Sequence, residues 1–338
     1  MRFKLSICIA TLNRGAFIGE TLESIKVQAT EKVEIVVLDG ASKDNTEQVV
    51  RELQRTMPNL RYIRQDANHG VDRDFNTAVE HATGEYCWLM SDDDLVMPGA
   101  VQTILRALEG SYSLIILNSE IRTFDFSQML DPDRLRFGSD RIYTPIDFER
   151  LFEETSAYLS YIGAVVIKRE IWMARDKERY FESFFIHVGV IFQARLPADT
   201  LVITQPCISV RFGNTQWRPR EFEIRMIKWT NLVWSLQSVS ESTIRRCYRP
   251  EPWRSVKSLL FYRAKGTYSM TEYRRWVQPR LKSRWDTVKA LTVALLPGGL
   301  ANLIGLIYCS FPYRDSNIHL LDMKLSRFHI TNLLKKRR

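Results

Sequence analysis

The sequence predicts an α/β fold: a mostly parallel sheet flanked by helices, followed by a basic helical C-terminal region. Three observations lead there. Short apolar runs alternate with stretches of helical spacing through the first third of the chain. Polar clusters close three of those runs. Charge is divided unevenly: residues 1–217 hold 24 Lys+Arg against 31 Asp+Glu and residues 218–338 hold 24 against 8, so nets of −7 and +16 make the overall +9. The expected organisation is one domain over 1–217 and a basic region over 218–338.

Residues 5–10 (LSICIA) read as a first strand, closed by the turn TLNRG. Residues 20–28 have helical spacing, with Leu22 and Ile25 on one face. A second strand, 33–38 (VEIVVL), ends at Asp39-Gly40, and a helix from 46 to 53 follows with Asp44 or Asn45 as its cap. Residues 60–64 form a short third strand, 74–81 a helix and 86–90 a fourth strand. Strands separated by helices imply βαβ units, and in such sheets ligands bind beyond the carboxyl ends of the strands. Thr11-Leu12-Asn13-Arg14, Asp39-Gly40-Ala41-Ser42 and Ser91-Asp92-Asp93-Asp94 all fall at such ends.

Further on, 100–108 reads as a helix, 113–118 and 162–167 as strands, 181–196 as a helix and 200–203 as a late strand. Residues 119–157 are polar and irregular, in keeping with a lid or an acceptor-side insertion. The last third differs. Residues 218–239 read as a helix with Trp229 and Trp234, and 245–285 interleave Arg and Lys with Trp and Tyr. Residues 290–311 are 22 residues without a charge, interrupted by Pro297-Gly298-Gly299. Arms of about 7 and 12 residues are too short to cross a core of about 30 Å, so a re-entrant or interfacial hairpin is expected. The chain closes on Lys335-Lys336-Arg337-Arg338.

The five cysteines are scattered, without CxxC or Cys/His clusters. That speaks against a zinc site or a disulfide framework and for a reducing compartment. The opening apolar stretch is too short for a signal sequence, so a cytosolic protein is expected.

Consecutive acids at a strand end suit Mg²⁺ or Mn²⁺, which prefer oxygen ligands and complete their shells with water or substrate phosphate. An acid followed by small residues, as at Asp39, suits hydrogen bonding to a base or ribose. Together the clusters describe a nucleotide-diphosphate site.

IATLNR, VVLDGASKDNT, NHGVDRDFNTAVEHATGEY and LMSDDD, in this order and spacing, resemble glycosyltransferase family 2, whose fold is the Rossmann-like GT-A fold. The likeness covers about residues 4–110, is loose to 215, and in wording is nearest the abequosyltransferase-like branch of O-antigen enzymes. It implies that Thr11, Asn13 and Arg14 line the nucleotide pocket and that Asp39 contacts the base. It places Asp72 or Arg73 at base or phosphate and Asp92 near the ribose. Asp93 becomes the principal metal ligand and Asp94 a supporting or second one. Ser91 stands where the family often has the first Asp of Asp-x-Asp-Asp. The family's acceptor-activating Asp maps onto 182–188, where His187 takes its place. An imidazole with a pKa of about 6.5 suits that task; Glu182 is the alternative. Arg211 and Asn214 fall in a turn that in the family faces the donor phosphates.

The expected function is an inverting, metal-dependent sugar transfer from a nucleotide-sugar donor to a lipid-diphosphate-linked saccharide acceptor in bacterial surface polysaccharide assembly. The basic region 218–338 would rest on the anionic cytoplasmic face of the inner membrane, peripherally or monotopically. A sugar nucleotidyltransferase would share the acids but needs a Gly-rich basic loop after the first strand, and TLNRGAF is a poor one. A nucleic-acid-binding protein would use the Arg/Trp-rich stretch but leaves the acidic clusters idle, so no nucleic-acid partner is expected.

Overall fold

The computed structural model describes residues 3–311 and 316–335; Lys336, Arg337 and Arg338 of the basic tail lie outside the described residues. The chain divides into two units, Met1–Phe212 with Ser235–Cys247, and Gly213–Trp234 with Tyr248–Arg338. The first boundary thus precedes the expected 217/218, and residues 235–247 rejoin the first unit. Ser240 N donates to Glu149 at 2.9 Å, Arg246 pairs with Glu153, and Ser238 Oγ donates to the Phe192 carbonyl.

The first unit is built on ten strands: β1 (Leu5–Thr11), β2 (Val33–Asp39), β3 (Leu60–Arg64), β4 (Tyr86–Met90), β5 (Leu95–Val96), β6 (Leu114–Arg122), β7 (Met129–Asp131), β8 (Arg141–Tyr143), β9 (Val165–Lys168) and β10 (Thr200–Arg211). They form one sheet in the order β3-β2-β1-β4-β9-β6-β10-β5, with β7 beside β6 and β8 beside β10. β3, β2, β1 and β4 are mutually parallel, as are β6 and β10. β9 enters antiparallel between β4 and β6, an arrangement that its short apolar run does not reveal.

Helices α1 (Ile18–Lys26), α2 (Thr46–Gln54), α3 (Val71–His81), α4 (Ala100–Ala107), α5 (Phe148–Thr155), α6 (Arg169–Ala174) and α7 (Ile186–Phe192) surround it. Leu5, Ile7 and Ile9 alternate along β1 and pack with Ile18, Leu22 and Ile25 of α1, Val50 of α2 and Val101 and Ile104 of α4. The intervening residues turn to the other face, where α3 lies on β1 and β2. Both faces are covered, so β1, β2 and β4 read as nearly continuous apolar runs, broken only by Ser6 and Glu34 before their polar ends.

One buried carboxylate fixes the approach to β4. Glu34 Oε1 accepts Ser6 Oγ at 2.6 Å and the Gly84 N–H at 3.0 Å. A Cβ on Gly84 would stand 2.5 Å from Ser6 Oγ. β4 is thereby held alongside β1, and its Asp-rich end is brought beside the first turn.

The second unit is helical. Phe222, Tyr268, Tyr273, Val277 and Val293 share a core. Its segment 223–228 is a π-helix rather than part of one long α-helix. Helices Arg284–Leu295 and Gly298–Cys309 meet at 95°, an elbow at the expected Pro297-Gly298-Gly299 break; among the described residues no single helix is long and apolar enough to cross a membrane.

Candidate active site

Thr11 and Asp39 are register partners at the ends of β1 and β2. The turns beyond them are laced together. Asp39 Oδ1 accepts the Ser42 N–H at 2.7 Å, and Ser42 Oγ accepts the Asn13 N–H at 2.8 Å. Asn13 Oδ1 returns the link by accepting the Lys43 N–H at 2.7 Å. Asn13 takes a φ of 53°, a left-handed conformation that Asn tolerates well. Thr46 Oγ1 accepts the Arg14 N–H at 2.9 Å and Asp44 Oδ2 the Gly15 N–H at 3.0 Å. Gly15 is required there, because a Cβ would lie 2.9 Å from the Thr46 backbone N.

Asp39 is fully buried and its second oxygen accepts the Tyr62 hydroxyl at 2.5 Å. Behind it stands Asp74, whose Oδ1 accepts Gln65 Nε2 at 3.1 Å. Burial lifts the Asp74 carboxyl to about 6, against the Gln65 hydrogen bond, and the neighbouring Asp39 charge adds to the rise. Gly40 runs between them; a Cβ there would meet Asp74 Oδ2 at 2.8 Å.

The acids after β4 have three different surroundings. Arg14 extends from the first turn so that Nη2 lies 3.1 Å from Asp93 Oδ2 and Nε 3.4 Å from Asp92 Oδ1. Burial raises Asp92 to about 6, with Arg14 opposing. Asp94 faces inward. Its Oδ2 accepts Ser91 Oγ and, at 2.7 Å, the Tyr161 hydroxyl; its Oδ1 accepts the Arg211 N–H at 2.8 Å. Both Asp94 oxygens are thus committed to the scaffold, which does not fit its expected part as a second metal ligand. Ser91, where the family often has an acid, steadies Asp94.

Arg211 also departs from expectation. Its side chain is 4% exposed. Nε donates to the Asp93 carbonyl at 2.9 Å, Nη1 to the Phe124 carbonyl at 2.8 Å, and Nη2 pairs with Glu20. It pins the end of β10 to the acidic turn and leaves little surface for a phosphate. Asn214 falls in the second unit.

His187 lies on α7, 1% exposed, with Nε2 2.7 Å from the Leu159 carbonyl. Burial pulls its pKa down to about 4. Interior placement keeps acceptor hydroxyls from it, so the geometry does not support His187 as the base. Glu182, five residues earlier, is exposed. It sits in a loop where Glu182 and Phe184 take φ of 66° and 70°, costly for side chains of this size. The loop is clamped by Asp72 at the start of α3: Oδ2 accepts the Phe184 N–H at 2.8 Å and Oδ1 the Ile186 N–H at 3.1 Å. Asp72, expected at base or phosphate, instead binds protein backbone. Arg73 lies over the Phe181 ring at 4.1 Å and lines a cavity of about 750 Å³ with Gln65, His69, Thr77 and Arg175.

The structure therefore brings Thr11, Asn13, Arg14, Asp39, Asp92 and Asp93 into one corner. Among the described residues no three His, Cys, Asp or Glu side chains converge as a metal cage. Asp93, with Asp92 beside it, presents oxygens suited to Mg²⁺ or Mn²⁺ only if substrate phosphates complete the shell, a sharing these ions readily accept. The scaffolding parts of Tyr62, Asp74 and Tyr161 had no sequence signal, since each depends on a partner distant in the chain.

Residues 6–170 match the profile of Glycosyl transferase family 2. The abequosyltransferase RfbV of Salmonella typhimurium is 25% identical over 231 residues, covering 64% of this chain and 69% of that protein. A GalNAc(5)-diNAcBac-PP-undecaprenol beta-1,3-glucosyltransferase of Campylobacter jejuni is 30% identical over 116 residues, 34% of this chain and 38% of that one. Among solved structures, S. aureus TarS 1-349 superposes with a TM-score of 0.58 at 13% identity, over 99% of this chain and 92% of its own. The mannosyltransferase PcManGT of Pyrobaculum calidifontis, solved with GDP-Man and Mn²⁺, gives 0.54 at 16% identity, over 99% and 88%. At such identities these structures establish the fold, which is GT-A.

Proposed function

Residues 6–170 are a glycosyl transferase family 2 domain, and on that premise we propose that the chain moves a sugar, with inversion, from a nucleotide-sugar donor to a saccharide carried on a lipid diphosphate. The observation that supports this best is the corner where the turns after β1, β2 and β4 are tied together, with Asp39 behind one turn and Asp92 and Asp93 at another. The relatives named for abequosyl transfer and for a PP-undecaprenol-linked acceptor favour a role in surface polysaccharide assembly at the cytoplasmic face of the membrane.

In this reading Thr11, Asn13 and the loop set by Asp39 bind the nucleotide, and Arg14 and Arg73 reach toward its phosphates. Asp93, supported by Asp92, would hold Mg²⁺ or Mn²⁺, which when bound offsets negative charge on the diphosphate. Glu182 takes the acceptor hydroxyl proton, and Asp72 holds Glu182 in place through the 184–186 backbone. Arg211 and Asp94 keep the acidic turn rigid.

A thermal-shift screen of UDP, GDP, CDP and dTDP, with and without Mn²⁺, tests the site. One nucleotide should raise the melting temperature in a metal-dependent way, since a ligand that binds only the folded state stabilises it by mass action. No shift with any of them would remove the donor-site reading. Product analysis with labelled donor then separates sugar transfer from nucleotidyl transfer.

A further inference from the structure

The helix Gly298–Cys309 is turned against the usual rule for a helix in water. Ala301, Asn302 and Cys309 are buried, while Leu300, Leu303, Ile304, Ile307 and Tyr308 are each about half exposed. Its inward side is packed closely: a Cβ on Gly305 would lie 2.9 Å from Met323 Sδ and 3.0 Å from the Ala264 Cβ. Asn302 Nδ2 donates inward to the carbonyls of Ala264 and Met323, at 3.0 and 2.9 Å. Small residues and the one amide face the protein, and the large apolar side chains face out. A surface helix in water shows the opposite pattern, whereas small residues at helix contacts and large ones outside are the habit of helices surrounded by lipid.

The preceding helix also presents large apolar side chains. Trp285 is 75% exposed, Val288 54% and Leu295 61%, and Phe311 beyond the second helix is 66% exposed. Exposed large apolar side chains at this density mark a contact with something apolar. Its rim is cationic. Lys282 just before the first arm and Arg284 and Lys289 on it are exposed, against the single acid Asp286, 3.9 Å from Lys289 Nζ, and Lys257 Nζ lies 5.5 Å from the Tyr308 ring centroid. Residues 287–311 contain no Asp or Glu.

We propose that this elbow is a wedge that enters one leaflet of an anionic bilayer, with the outward side chains of both arms among the acyl chains and the cationic rim at the lipid phosphates. Each arm has 12 residues, about 18 Å of helix against a hydrocarbon core of about 30 Å, so insertion stops within the leaflet. The 95° bend lays both arms near the interface instead of driving one across it. A second copy of the chain is the poorer occupant, because two-fold pairing sets the cationic rims against each other. The inference deepens the proposed function, resting on its reading of a lipid-borne acceptor.

The test is flotation of the full chain with vesicles of phosphatidylethanolamine and phosphatidylglycerol, and with phosphatidylcholine alone. The chain should float with the anionic vesicles and less with the neutral ones. Leu303→Asp with Ile307→Asp should lower the vesicle-bound fraction about tenfold, at unchanged melting temperature and unchanged nucleotide-induced shift. Leu303→Ser with Ile307→Ser gives a milder version of the same loss should the Asp pair disturb folding. Lys282→Glu with Lys289→Glu should reduce binding to anionic vesicles alone. Wild-type chain that fails to float, or Asp variants that float like wild type, would overturn the wedge. So would a concentration-dependent dimer in analytical ultracentrifugation that the Asp variants abolish. Flotation that persists while no nucleotide shifts the melting temperature would sink the transferase reading and leave the wedge standing.

Discussion

Arg14 Nη2 stands 3.1 Å from Asp93 Oδ2, so the acidic turn after β4 carries its own counter-cation, supplied from the turn after β1. Three successive acids are tolerated because one guanidinium pairs with two of them and the third is hydrogen-bonded by Ser91, Tyr161 and the Arg211 N–H. Arg14, Asp92 and Asp93 side chains are all 10–14% exposed, so removing the cation strands poorly solvated charge. Arg14→Ala should therefore destabilise the ligand-free protein by about 2–4 kcal/mol in chemical denaturation. Millimolar Mg²⁺ should restore more stability to this variant than to wild type. A variant indifferent to Mg²⁺ would argue against a cation site at Asp92 and Asp93. Asp93→Ala should remove the Mn²⁺ dependence of nucleotide binding, and chelation of wild type with EDTA should stop turnover.

Glu182 and His187 are separated by their surroundings. Glu182→Gln should lower kcat about 10²–10⁴-fold with little change in KM, the scale of a lost general base. His187→Gln should act on stability and leave the pH dependence of kcat in place, since a group with a pKa near 4 is neutral throughout the working range. A pH profile that changes with His187 and not with Glu182 would reverse the assignment.

In the proposed mechanism Asp72 acts on catalysis through the backbone it holds. Asp72→Ala leaves the Phe184 and Ile186 N–H groups without their acceptor and frees the left-handed residues to relax. It should lower kcat with little effect on nucleotide affinity, which thermal shift measures separately. Combined with Glu182→Gln the losses should fall well short of additive, because both changes act on one group. Additive losses in the double variant would show that Asp72 serves something other than Glu182.

Much of this was legible along the chain. The runs LSICIA, VEIVVL and YCWLM gave the central parallel strands, and the polar clusters beyond them gave the corner of the site, because strand ends and ligand-binding turns are local in sequence. What escaped was non-local. The antiparallel β9, the inward turn of Asp94 toward Tyr161 and the clamp of Asp72 on residue 184 each join positions far apart in the chain. His187 occupied the expected place in the motif, yet placement in a motif says nothing about burial. The charge count separated the second unit from the first but could not show that 235–247 return across the boundary.

Asp74 gives the ligand-free protein a pH signature. Its carboxyl titrates at about 6 in the folded chain, lifted first by burial, and near 3.9 when unfolded. Between these values the folded state binds the proton and the unfolded state does not, so stability falls as pH rises from about 4 to about 6. The loss attributable to Asp74 is on the order of 3 kcal/mol. Denaturant titrations across that window should show the decline in wild type, shallower in Asp74→Asn, where a neutral amide faces Gln65 and Asp39 at every pH. An equal slope in the two proteins would mean that Asp74 is already ionised in the fold.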